Sequence, residues 1–483
     1  MPDHFDLIVI GSGPAGEKGA AQAAYFGKQV CLVERAPKPG GSSVNTGGLP
    51  SKTLRETALY FSRLRQRGLY GIEYHVKPDI TISDFMFRER AVVESAWTLI
   101  DENLHRHGIV TVQGSARLVD PRTVEVTRYR EEPKHLTADV ILVATGSHPL
   151  RPPDIPFDGE AVVDSETLLA LPAIPRRLAV IGGGVIGCEY ASIFAALGVH
   201  VTLINSSERL LTQFDPDVSE ALQADLTRRL GVQIVLNASV SSVRVERDGE
   251  RKTAVVTFAD GTSHVADCVL YSVGREGATE SLGLAEVGVR TNSHGFVLVD
   301  EHFRSSVPGI FAAGDVIGFP ALASTSMEQA RVAMCHAFEL KYKERVSPVL
   351  PYGVWTIPEL AMVGETEESA RAQRLSYETG KGSFRTNMRG QITNDLDGFV
   401  KLIFRRDDQA LLGCAVVGEG ACELIHLATA VISFGGTIDY FIQGVFNFPT
   451  LGDVFKYAAY DGLQRLARRN SQAPGLPSAR SRT

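Results

Sequence analysis

The sequence predicts an α/β protein with two Rossmann-like dinucleotide-binding units, and three observations support this prediction. A glycine fingerprint flanked by apolar segments occurs twice, first near residue 11 and again near residue 182. A chain of 483 residues is too long for one hydrophobic core, so we expect three domains of about 100 to 180 residues each. Apolar residues make up 44% of the chain and charged residues 22%, which is typical of globular proteins.

Residues 5–34 read FDLIVIGSGPAGEKGAAQAAYFGKQVCLVE, which predicts a strand, a glycine turn, a helix and a second strand in succession. Gly11 allows the tight turn, Gly13 lets a pyrophosphate approach the backbone, and Gly16 lets the helix pack against the strand. The helix N-terminus offers N–H groups and a positive dipole end to the phosphates. Glu34 ends the second strand and can accept hydrogen bonds from ribose hydroxyls, so this segment predicts a dinucleotide site.

The same pattern recurs in residues 178–205, LAVIGGGVIGCEYASIFAALGVHVTLIN, with Gly182, Gly184 and Gly187 in the fingerprint. The first glycine and the final strand residue are 23 positions apart in both copies (34 − 11 and 205 − 182). Two such units imply two bound dinucleotides, although one copy could still be a purely structural βαβ unit.

Two further segments predict buried strands that end beside a ligand. VILVATGSHP (140–149) ends in a turn of small residues, and GIFAAGDVIG (309–318) ends in Gly314 and Asp315. A carboxylate directly after a strand and beside a glycine suits a polyhydroxyl chain such as the ribitol of a flavin. A Gly-Asp step alone is a common turn, so this interpretation depends on the two fingerprints that accompany it.

Together these motifs resemble the two-dinucleotide flavoprotein family that includes dihydrolipoamide dehydrogenase and glutathione reductase, from about residue 5 to residue 468. The resemblance implies a bound FAD, a nicotinamide nucleotide as second ligand, and a catalytic ion pair of Lys52 with Glu189 near the flavin N5. The residues expected to hold FAD are Gly11, Gly13, Gly16, Glu34, Thr145, Gly146 and Asp315. Those expected at the nicotinamide nucleotide are Gly182, Gly184, Gly187 and Gly274, with Asn205 and Arg209 discussed below.

The resemblance also divides the chain into domains. Residues 1–150 and 275–347 are expected to form the FAD-binding domain, and residues 151–274 the NAD(P)-binding domain. The segment VWTIPELAMVG is similar to the opening of the family's C-terminal α+β dimerisation domain, which is expected here over residues 348–468. Because that domain pairs two chains head to tail, a homodimer is expected.

Disulfide reductases of this family carry two cysteines in the loop that reads GGSSVNTGGLPSK here, and the motif places them at Ser43 and Gly48. Their partner chain supplies a His-Pro step and a glutamate for proton transfer, where this chain has Phe448 and Asp453. The dithiol and its acid–base residues are therefore missing together. Electrons that reach FAD are expected to leave to a second soluble molecule.

The segments FNFPT, GDVIGFP and EYASIF resemble the soluble pyridine nucleotide transhydrogenase family, whose members usually keep the first cysteine that this chain lacks. The resemblance implies a ping-pong exchange in which NADPH reduces FAD, NADP+ leaves, and NAD+ takes the hydride, so NAD(H) and NADP(H) are substrates. An NAD(P)H dehydrogenase that reduces a quinone or another small acceptor would have the same site. A flavin-binding redox sensor without turnover is a third hypothesis, which the retained Lys52 and Glu189 disfavour.

Nucleotide choice is expected to depend on Asn205, which ends the second strand of the second copy. A glutamate there would bond the ribose hydroxyls of NAD and repel the 2′-phosphate of NADP, whereas an uncharged amide is compatible with both. Arg209 is expected to give the phosphate a charge-assisted hydrogen bond. The alternative is that Asn205 only caps the following turn.

Composition disfavours several other functions. The net charge is −7 and the basic residues are spread along the chain, so no nucleic-acid partner is expected. The N-terminus lacks a signal-peptide pattern, and the most apolar stretch, 178–204, is interrupted by three consecutive glycines and Glu189, which argues against a membrane span. A cytoplasmic protein is therefore expected. The polar tail 469–483 has two prolines and no apolar periodicity, which predicts disorder.

The cysteines are expected to be reduced, buried apolar residues, because no two of them have the spacing of a redox or metal motif. They are Cys31, Cys188, Cys268, Cys335, Cys414 and Cys422. No cluster of Asp, His and Cys residues has metal-ligand spacing either, so no metal is expected.

Overall fold

The computed structural model describes residues 3–65, 82–249 and 251–472. The chain forms two compact units, Met1–Gly182 with Ser239–Ser347 and Gly183–Ala238 with Pro348–Thr483. The expected NAD(P)-binding domain, 151–274, is thus divided between the two units. The three-domain boundaries stay a prediction.

The first unit is built on a seven-stranded sheet whose central strands are parallel, as the repeated strand–helix–strand pattern predicts. Its order across the sheet is Val110–Gln113, Val30–Glu34, His4–Ile10, Lys134–Val143, Thr123–Thr127 and Ser115–Asp120. The long strand Lys134–Val143 pairs antiparallel with Thr123–Thr127 through its first half and parallel with Ile310–Ala312 through its last three residues. The predicted strands of VILVATGSHP and GIFAAGDVIG are therefore neighbours.

Both faces of this sheet are buried. Leu7 and Val9 pack on one face and Ile8 and Ile10 on the other, which explains the continuous apolar run in the sequence. A Cβ on Gly19 would lie 2.5 Å from a methyl group of Leu142, so the glycine lets its helix approach the sheet closely.

Further elements complete the first unit. Its helices are Pro14–Tyr25, Gly41–Asn45, Gly48–Arg65, Ile82–Phe85, Phe87–Arg106 and Ala323–Ala337, with 3-10 turns Leu168–Ala170 and Asp315–Ile317. Three small strand groups are parallel Arg177–Ile181, Cys268–Tyr271 and Val162–Val163, antiparallel Val240–Asp248, Arg251–Phe258 and Ser263–Ala266, and the pair Ser147–Pro149 with Arg275–Gly277.

The second unit combines part of the second fingerprint copy with the C-terminal region. The former contributes the parallel strands His200–Ile204 and Gln233–Val235 and the helices Val185–Ala196 and Pro216–Arg228. The latter contributes an antiparallel sheet in the order Tyr352–Val354, Leu360–Gly364, Leu411–Val417, Phe399–Arg405 and Tyr377–Ser383. Its helices are Glu367–Ala372, Met388–Thr393, Ala421–Ser433, Asp439–Gln443 and Val454–Gln472, with 3-10 turns Phe384–Thr386 and Leu451–Asp453.

The last helix lies directly on the edge strand of that sheet. A Cβ on Gly380 would lie 2.0 Å from the Ala458 carbonyl oxygen, so this contact requires a glycine. The helix continues through Gln472, which corrects the start of the tail predicted from residue 469. Residues 473–483 lie outside the described residues, and the disorder predicted for them stays a prediction. In the described part of the chain, no helix has both the length and the apolar content needed to span a membrane.

Candidate functional site

The first fingerprint forms a tight turn between strand His4–Ile10 and helix Pro14–Tyr25. Gly11 has φ +99°, and a Cβ there would lie 2.5 Å from the Ala144 carbonyl oxygen. A Cβ on Gly16 would lie 1.8 Å from the Gly11 carbonyl oxygen. By contrast, the nearest atom to a Cβ on Gly13 would be 3.9 Å away, so the turn leaves open space at this position. The turn at Gly11 and the close approach at Gly16 are compatible with the roles predicted for them, and the approach of a pyrophosphate at Gly13 stays a prediction.

Glu34, at the end of strand Val30–Glu34, stabilises this turn through hydrogen bonds. Its Oε2 accepts hydrogen bonds from the Ser12 backbone N–H at 2.8 Å and from the Ser12 hydroxyl at 2.6 Å. Its Oε1 accepts a hydrogen bond from the Ala36 N–H at 2.8 Å. Ser12 is a residue of the site that the sequence analysis did not single out, and its side chain fixes the carboxylate expected to face a ribose.

Asp315 lies close to the same turn. A Cβ on its neighbour Gly314 would lie 2.9 Å from Ala15, in the first turn of the fingerprint helix. Ser147 and Ser326 each donate a hydroxyl hydrogen bond to the Asp315 carboxylate at 3.3 Å. These weak bonds orient the carboxylate and leave acceptor capacity for a further ligand.

Gly274 directly precedes the short strand Arg275–Gly277, and Gly146 lies between the long strand Lys134–Val143 and the short strand Ser147–Pro149. The Gly274 carbonyl accepts a hydrogen bond from Leu150 N–H at 3.0 Å, and Gly146 has φ +73° with open space around its α-carbon. The neighbouring Arg275 donates to Ser147 from Nε at 2.8 Å and from Nη2 to its carbonyl at 2.7 Å. Arg275 therefore holds the serine that contacts Asp315, a connection that the sequence does not reveal.

The loop that lacks the cysteine pair packs against the first fingerprint. A Cβ on Gly41 would lie 2.9 Å from the Gly13 α-carbon, so two glycines let the two loops meet. Two buried hydroxyl oxygens of this region, Thr46 Oγ1 and Thr145 Oγ1, have no hydrogen-bond partner among residues 3–65, 82–249 and 251–472. Buried polar atoms are rarely left unsatisfied, so these hydroxyls point to a ligand. Together with the open space at Gly13, they fit a dinucleotide such as FAD.

Ser43 and Gly48 are in direct contact, as the two cysteines of a disulfide would be. A Cβ on Gly48 would lie 3.1 Å from the Ser43 hydroxyl oxygen but only 2.6 Å from the Ser43 carbonyl oxygen. The Ser43 backbone therefore lies too close to position 48 for a Cβ, and a side chain there requires a backbone shift. All six cysteines are elsewhere and are buried thiols that form no disulfide, which confirms the prediction for them.

Lys52 lies in the first turns of helix Gly48–Arg65. Its Nζ donates to the Ser51 hydroxyl at 3.2 Å, and that hydroxyl donates in turn to the Gly47 carbonyl at 2.7 Å. Ser51 is buried and connects Lys52 to the loop of the missing cysteines. Glu189 belongs to the other compact unit. There it is buried, and its Oε1 accepts a hydrogen bond from the Trp355 N–H at 2.9 Å.

The second fingerprint shows the same use of its glycines. A Cβ on Gly182 would lie 2.5 Å from the Ser272 carbonyl oxygen, whereas a Cβ on Gly184 would meet nothing within 4 Å. Gly187 is buried in helix Val185–Ala196. Gly184 thus leaves the same open space in the second copy that Gly13 leaves in the first.

Asn205 is engaged by the backbone around it. Its Oδ1 accepts a hydrogen bond from Gly183 N–H at 3.1 Å, and its Nδ2 donates to the carbonyls of Arg209 at 2.9 Å and Ser207 at 3.4 Å. These contacts favour the alternative that Asn205 organises its own turn. Its role in reading the ribose stays a prediction that the contacts do not support.

Arg209 is engaged as well. Its Nη1 and Nη2 donate to the two carboxylate oxygens of Glu368 at 2.6 and 2.5 Å, and Nη2 also donates to the Thr212 carbonyl at 2.9 Å. The hydrogen bond to Glu368 raises the pKa of Arg209, and the same bond lowers the pKa of Glu368. A 2′-phosphate would therefore compete with Glu368 for this guanidinium, which speaks against the role predicted for Arg209.

Phe448 and Asp453 lie near the C-terminus of the second unit. Phe448 is 74% exposed and Val445 is 97% exposed, in a segment between helices Asp439–Gln443 and Val454–Gln472. Phe434 is 91% exposed nearby in sequence. Phe434, Val445 and Phe448 are thus large apolar side chains with high exposure. In the part of the chain that is described, no group of three or more His, Cys, Asp and Glu residues is arranged to hold a metal ion.

A family model described as pyridine nucleotide-disulphide oxidoreductase matches residues 5–337, and the model of that family's dimerisation domain matches residues 350–459. A soluble pyridine nucleotide transhydrogenase of Mycobacterium bovis is 41% identical over 468 residues, which are 97% of this chain and 99% of the relative. The protein of the same name from Colwellia psychrerythraea is 36% identical over 96% of this chain and 98% of its own length.

Two solved structures have the same fold. LpdA from Mycobacterium tuberculosis matches with a TM-score of 0.86 at 30% identity and covers 94% of this chain and 99% of its own. The HOCl-induced flavoprotein disulfide reductase RclA from Escherichia coli matches with a TM-score of 0.83 at 26% identity, over 94% and 99%. The predicted α/β fold class with a C-terminal dimerisation domain is confirmed. The chain belongs to the pyridine nucleotide-disulphide oxidoreductase family, whose members are enzymes. Membership of this family implies FAD and NAD(P)H as cofactor and substrate.

Proposed function

We propose that this enzyme exchanges hydride between NADPH and NAD+ at one nucleotide site that the two nucleotides occupy in turn. The observation that carries this proposal is the loop at Ser43 and Gly48. It keeps its contact with the first fingerprint, yet it contains no sulfur and has closed onto position 48. The chain therefore has no internal dithiol to receive electrons there. Full-length relatives named soluble pyridine nucleotide transhydrogenase support the same conclusion.

FAD is proposed to lie along the first fingerprint. Gly13 gives its pyrophosphate access to the backbone, Glu34 faces the ribose, Asp315 faces the ribitol, and Thr46 and Thr145 supply hydroxyl groups that lack partners within the described chain. Bound FAD supplies a carrier of two electrons, and the protein supplies orientation and electrostatics. The other residues proposed for this site are Gly11, Gly16 and Gly146.

The nicotinamide nucleotide is proposed to use the second fingerprint, with Gly184 as the point of closest approach to the backbone. Gly182, Gly187 and Gly274 are proposed to line the same site. Lys52 and Glu189 are proposed to act on the nicotinamide side of the flavin. Ser51 and the Trp355 N–H hold these two side chains from within their own units.

The active form is proposed to be a cytoplasmic homodimer that associates through the C-terminal region. Support comes from the matched dimerisation domain, residues 350–459, which includes the exposed Phe434, Val445 and Phe448. Exposed apolar side chains are groups that an interface with a second copy of the chain would bury.

Stopped-flow mixing tests the exchange. We expect the purified yellow protein to lose its flavin absorbance on mixing with NADPH and to regain it on later mixing with NAD+, with one NADH formed per flavin. An NADPH titration should end at two electrons per flavin, because the chain has no redox disulfide. Uptake of four electrons, or recovery with a quinone but not with NAD+, would contradict the proposal.

A triple variant tests the lost disulfide. We expect Ser43→Cys with Gly48→Cys and Phe448→His to lack efficient reduction of lipoamide or glutathione disulfide. A Cβ at position 48 would lie 2.6 Å from the Ser43 carbonyl oxygen, so the new thiols cannot adopt reactive geometry without a backbone shift. A misplacement of about 1 Å can cost on the order of 100-fold in rate. Turnover of either disulfide at the rate of NADPH oxidation would refute this expectation.

A further inference from the structure

Residues 205–215, here called the nucleotide segment, connect strand His200–Ile204 to helix Pro216–Arg228. The segment begins at the strand end where a Rossmann unit meets the adenosine ribose of its ligand. Two of its polar side chains, Asn205 and Arg209, were expected to contact that ligand. Instead, the structure shows that the protein itself binds both of them, and that it also binds Asp215.

The inner end of the segment is fastened to the fingerprint. Asn205 accepts a hydrogen bond from Gly183 N–H and donates to the carbonyls of Ser207 and Arg209. A second contact runs from Leu211 N–H to the Gly183 carbonyl at 2.9 Å. Any displacement of the segment is therefore transmitted to Gly183, directly beside the open space at Gly184.

The middle and outer end of the segment are fastened to the C-terminal region. Arg209 forms a two-pronged ion pair with Glu368, and its side chain is only 19% exposed. Asp215 accepts a hydrogen bond from Glu367 N–H at 3.1 Å and binds the buried Lys401 ammonium at 2.8 Å. Two consecutive residues of helix Glu367–Ala372 thus hold the segment at two places.

We infer that Glu368 is a positioning residue for the nucleotide site, which holds the nucleotide segment and, through Asn205, the backbone at Gly183 in binding geometry. The inference rests on the proposed nucleotide site. The pyrophosphate is common to NAD and NADP, so a loosened segment weakens both nucleotides alike. This effect differs from that of a residue that reads the 2′-phosphate, which acts on NADP alone.

The test measures binding of NAD+ and of NADP+ to the oxidised, FAD-loaded protein by titration calorimetry. Glu368→Gln keeps the shape of the side chain and removes its charge. Loss of a charge-assisted, two-pronged pair at a partly buried arginine is expected to raise both dissociation constants by about tenfold. The FAD content and the turnover number at saturating nucleotide should stay within about twofold, because the variant changes binding rather than chemistry.

Two comparisons sharpen the test. The matched control is Asp408→Asn, which removes the Arg405–Asp408 pair of 2.7 Å at the end of strand Phe399–Arg405 without touching the segment, and no change in affinity is expected. The reversed pair, Arg209→Glu with Glu368→Arg, should recover most of the affinity for both nucleotides. A merely structural residue would instead lower stability and FAD content without separating affinity from turnover.

Three results would overturn the inference: unchanged dissociation constants in Glu368→Gln, a change confined to NADP+, or a wild-type protein that binds neither nucleotide. The binding measurements involve no turnover. A protein that binds both nucleotides but exchanges no hydride would therefore refute the proposed function and leave this test intact.

Discussion

We expect the Gly13→Ala variant to purify largely without FAD, and Gly184→Ala to keep its FAD but to lose affinity for NAD(P)H. Both glycines have extended backbone conformations that alanine adopts readily, with φ −63° at Gly13 and −79° at Gly184. In the protein itself, a Cβ at Gly13 would meet no atom closer than 3.9 Å, and one at Gly184 none within 4 Å. The methyl group therefore occupies space that the proposed ligand would fill.

The size of the effect follows from overpacking. An extra methyl group in a well-packed contact costs about 1–3 kcal/mol, which corresponds to roughly five-fold to 150-fold in a dissociation constant. FAD content is measured from the absorbance ratio of the purified protein, and NAD(P)+ affinity by calorimetry. Gly13→Ala should lose FAD, and Gly184→Ala should keep FAD and lose affinity for NAD(P)+.

Gly16→Ala provides the contrast. Its Cβ would lie 1.8 Å from the Gly11 carbonyl oxygen, so this variant should fold poorly whether or not FAD is present. If Gly13→Ala and Gly184→Ala lose the same ligand, or if Gly13→Ala retains FAD normally, the proposed assignment of ligands to fingerprints is wrong.

The second large effect is expected for Lys401→Met. Lys401 is 3% exposed and lies 2.8 Å from the buried Asp215 and 2.5 Å from Glu367. Its removal leaves the Asp215 carboxylate buried without its cation, a change that typically costs about 3–5 kcal/mol. We expect the free energy of unfolding of the second unit to fall by this amount. Trp355 fluorescence in a Trp97→Phe background, which removes the other of the two tryptophans, reports on this unit alone.

The matched control for this prediction is Lys381→Met. Lys381 binds Asp217 at 3.2 Å, and Asp217 also lies 3.4 Å from Lys401, but the Lys381 side chain is 41% exposed. Exposed ion pairs contribute about 1 kcal/mol or less. Equal losses of stability for the two variants would show that burial of Lys401 does not govern its contribution.

The contribution of this cluster also depends on pH. Burial opposes the charge on Lys401, but the hydrogen bonds to Asp215 and Glu367 outweigh burial and raise the pKa of Lys401. Burial likewise opposes ionisation of Asp217, and the charges of Lys401 and Lys381 lower its pKa. The stability that Lys401 contributes is present below its unfolded pKa of about 10.4 and is lost as the pH rises through its folded pKa. The stability that Asp217 contributes is present above its unfolded pKa of about 3.9 and is lost as the pH falls through its folded pKa. The difference between wild type and Lys401→Met should therefore be largest between these limits.

Much of the fold follows from local sequence. The fingerprints, the strands that flank them and Asp315 after its strand are each specified within about 30 residues. The structure therefore reproduces both strand–turn–helix–strand copies, with first strands that end at Ile10 and Ile181.

The hydrogen-bond and ion-pair partners of polar side chains could not be predicted from the sequence. Asn205 and Arg209 are suitable ligands by residue type, but residues up to 159 positions away in the chain engage them. Lys401 lies between apolar residues in the strand FVKLIFR, and its partner Asp215 is 186 positions away. No local pattern identifies such pairs, because they depend on tertiary packing. A charged residue within a strand that is otherwise buried was the one signal available.

Glu34 and Asn205, which lie at the end of the second strand in the two fingerprint copies, share a constraint that matters for engineering. Glu34 accepts a hydrogen bond from the Ser12 N–H and Asn205 accepts one from the Gly183 N–H, so each supports the second residue of its own fingerprint. A library designed to change coenzyme preference at position 205 is therefore restricted to side chains with an oxygen acceptor of suitable reach. Small or basic residues, the usual choice when a phosphate is to be accommodated, would release the Gly183 amide. Substitutions should instead be introduced at exposed neighbours such as Ser206 and Glu208, where the choice of residue is not restricted by the Gly183 hydrogen bond.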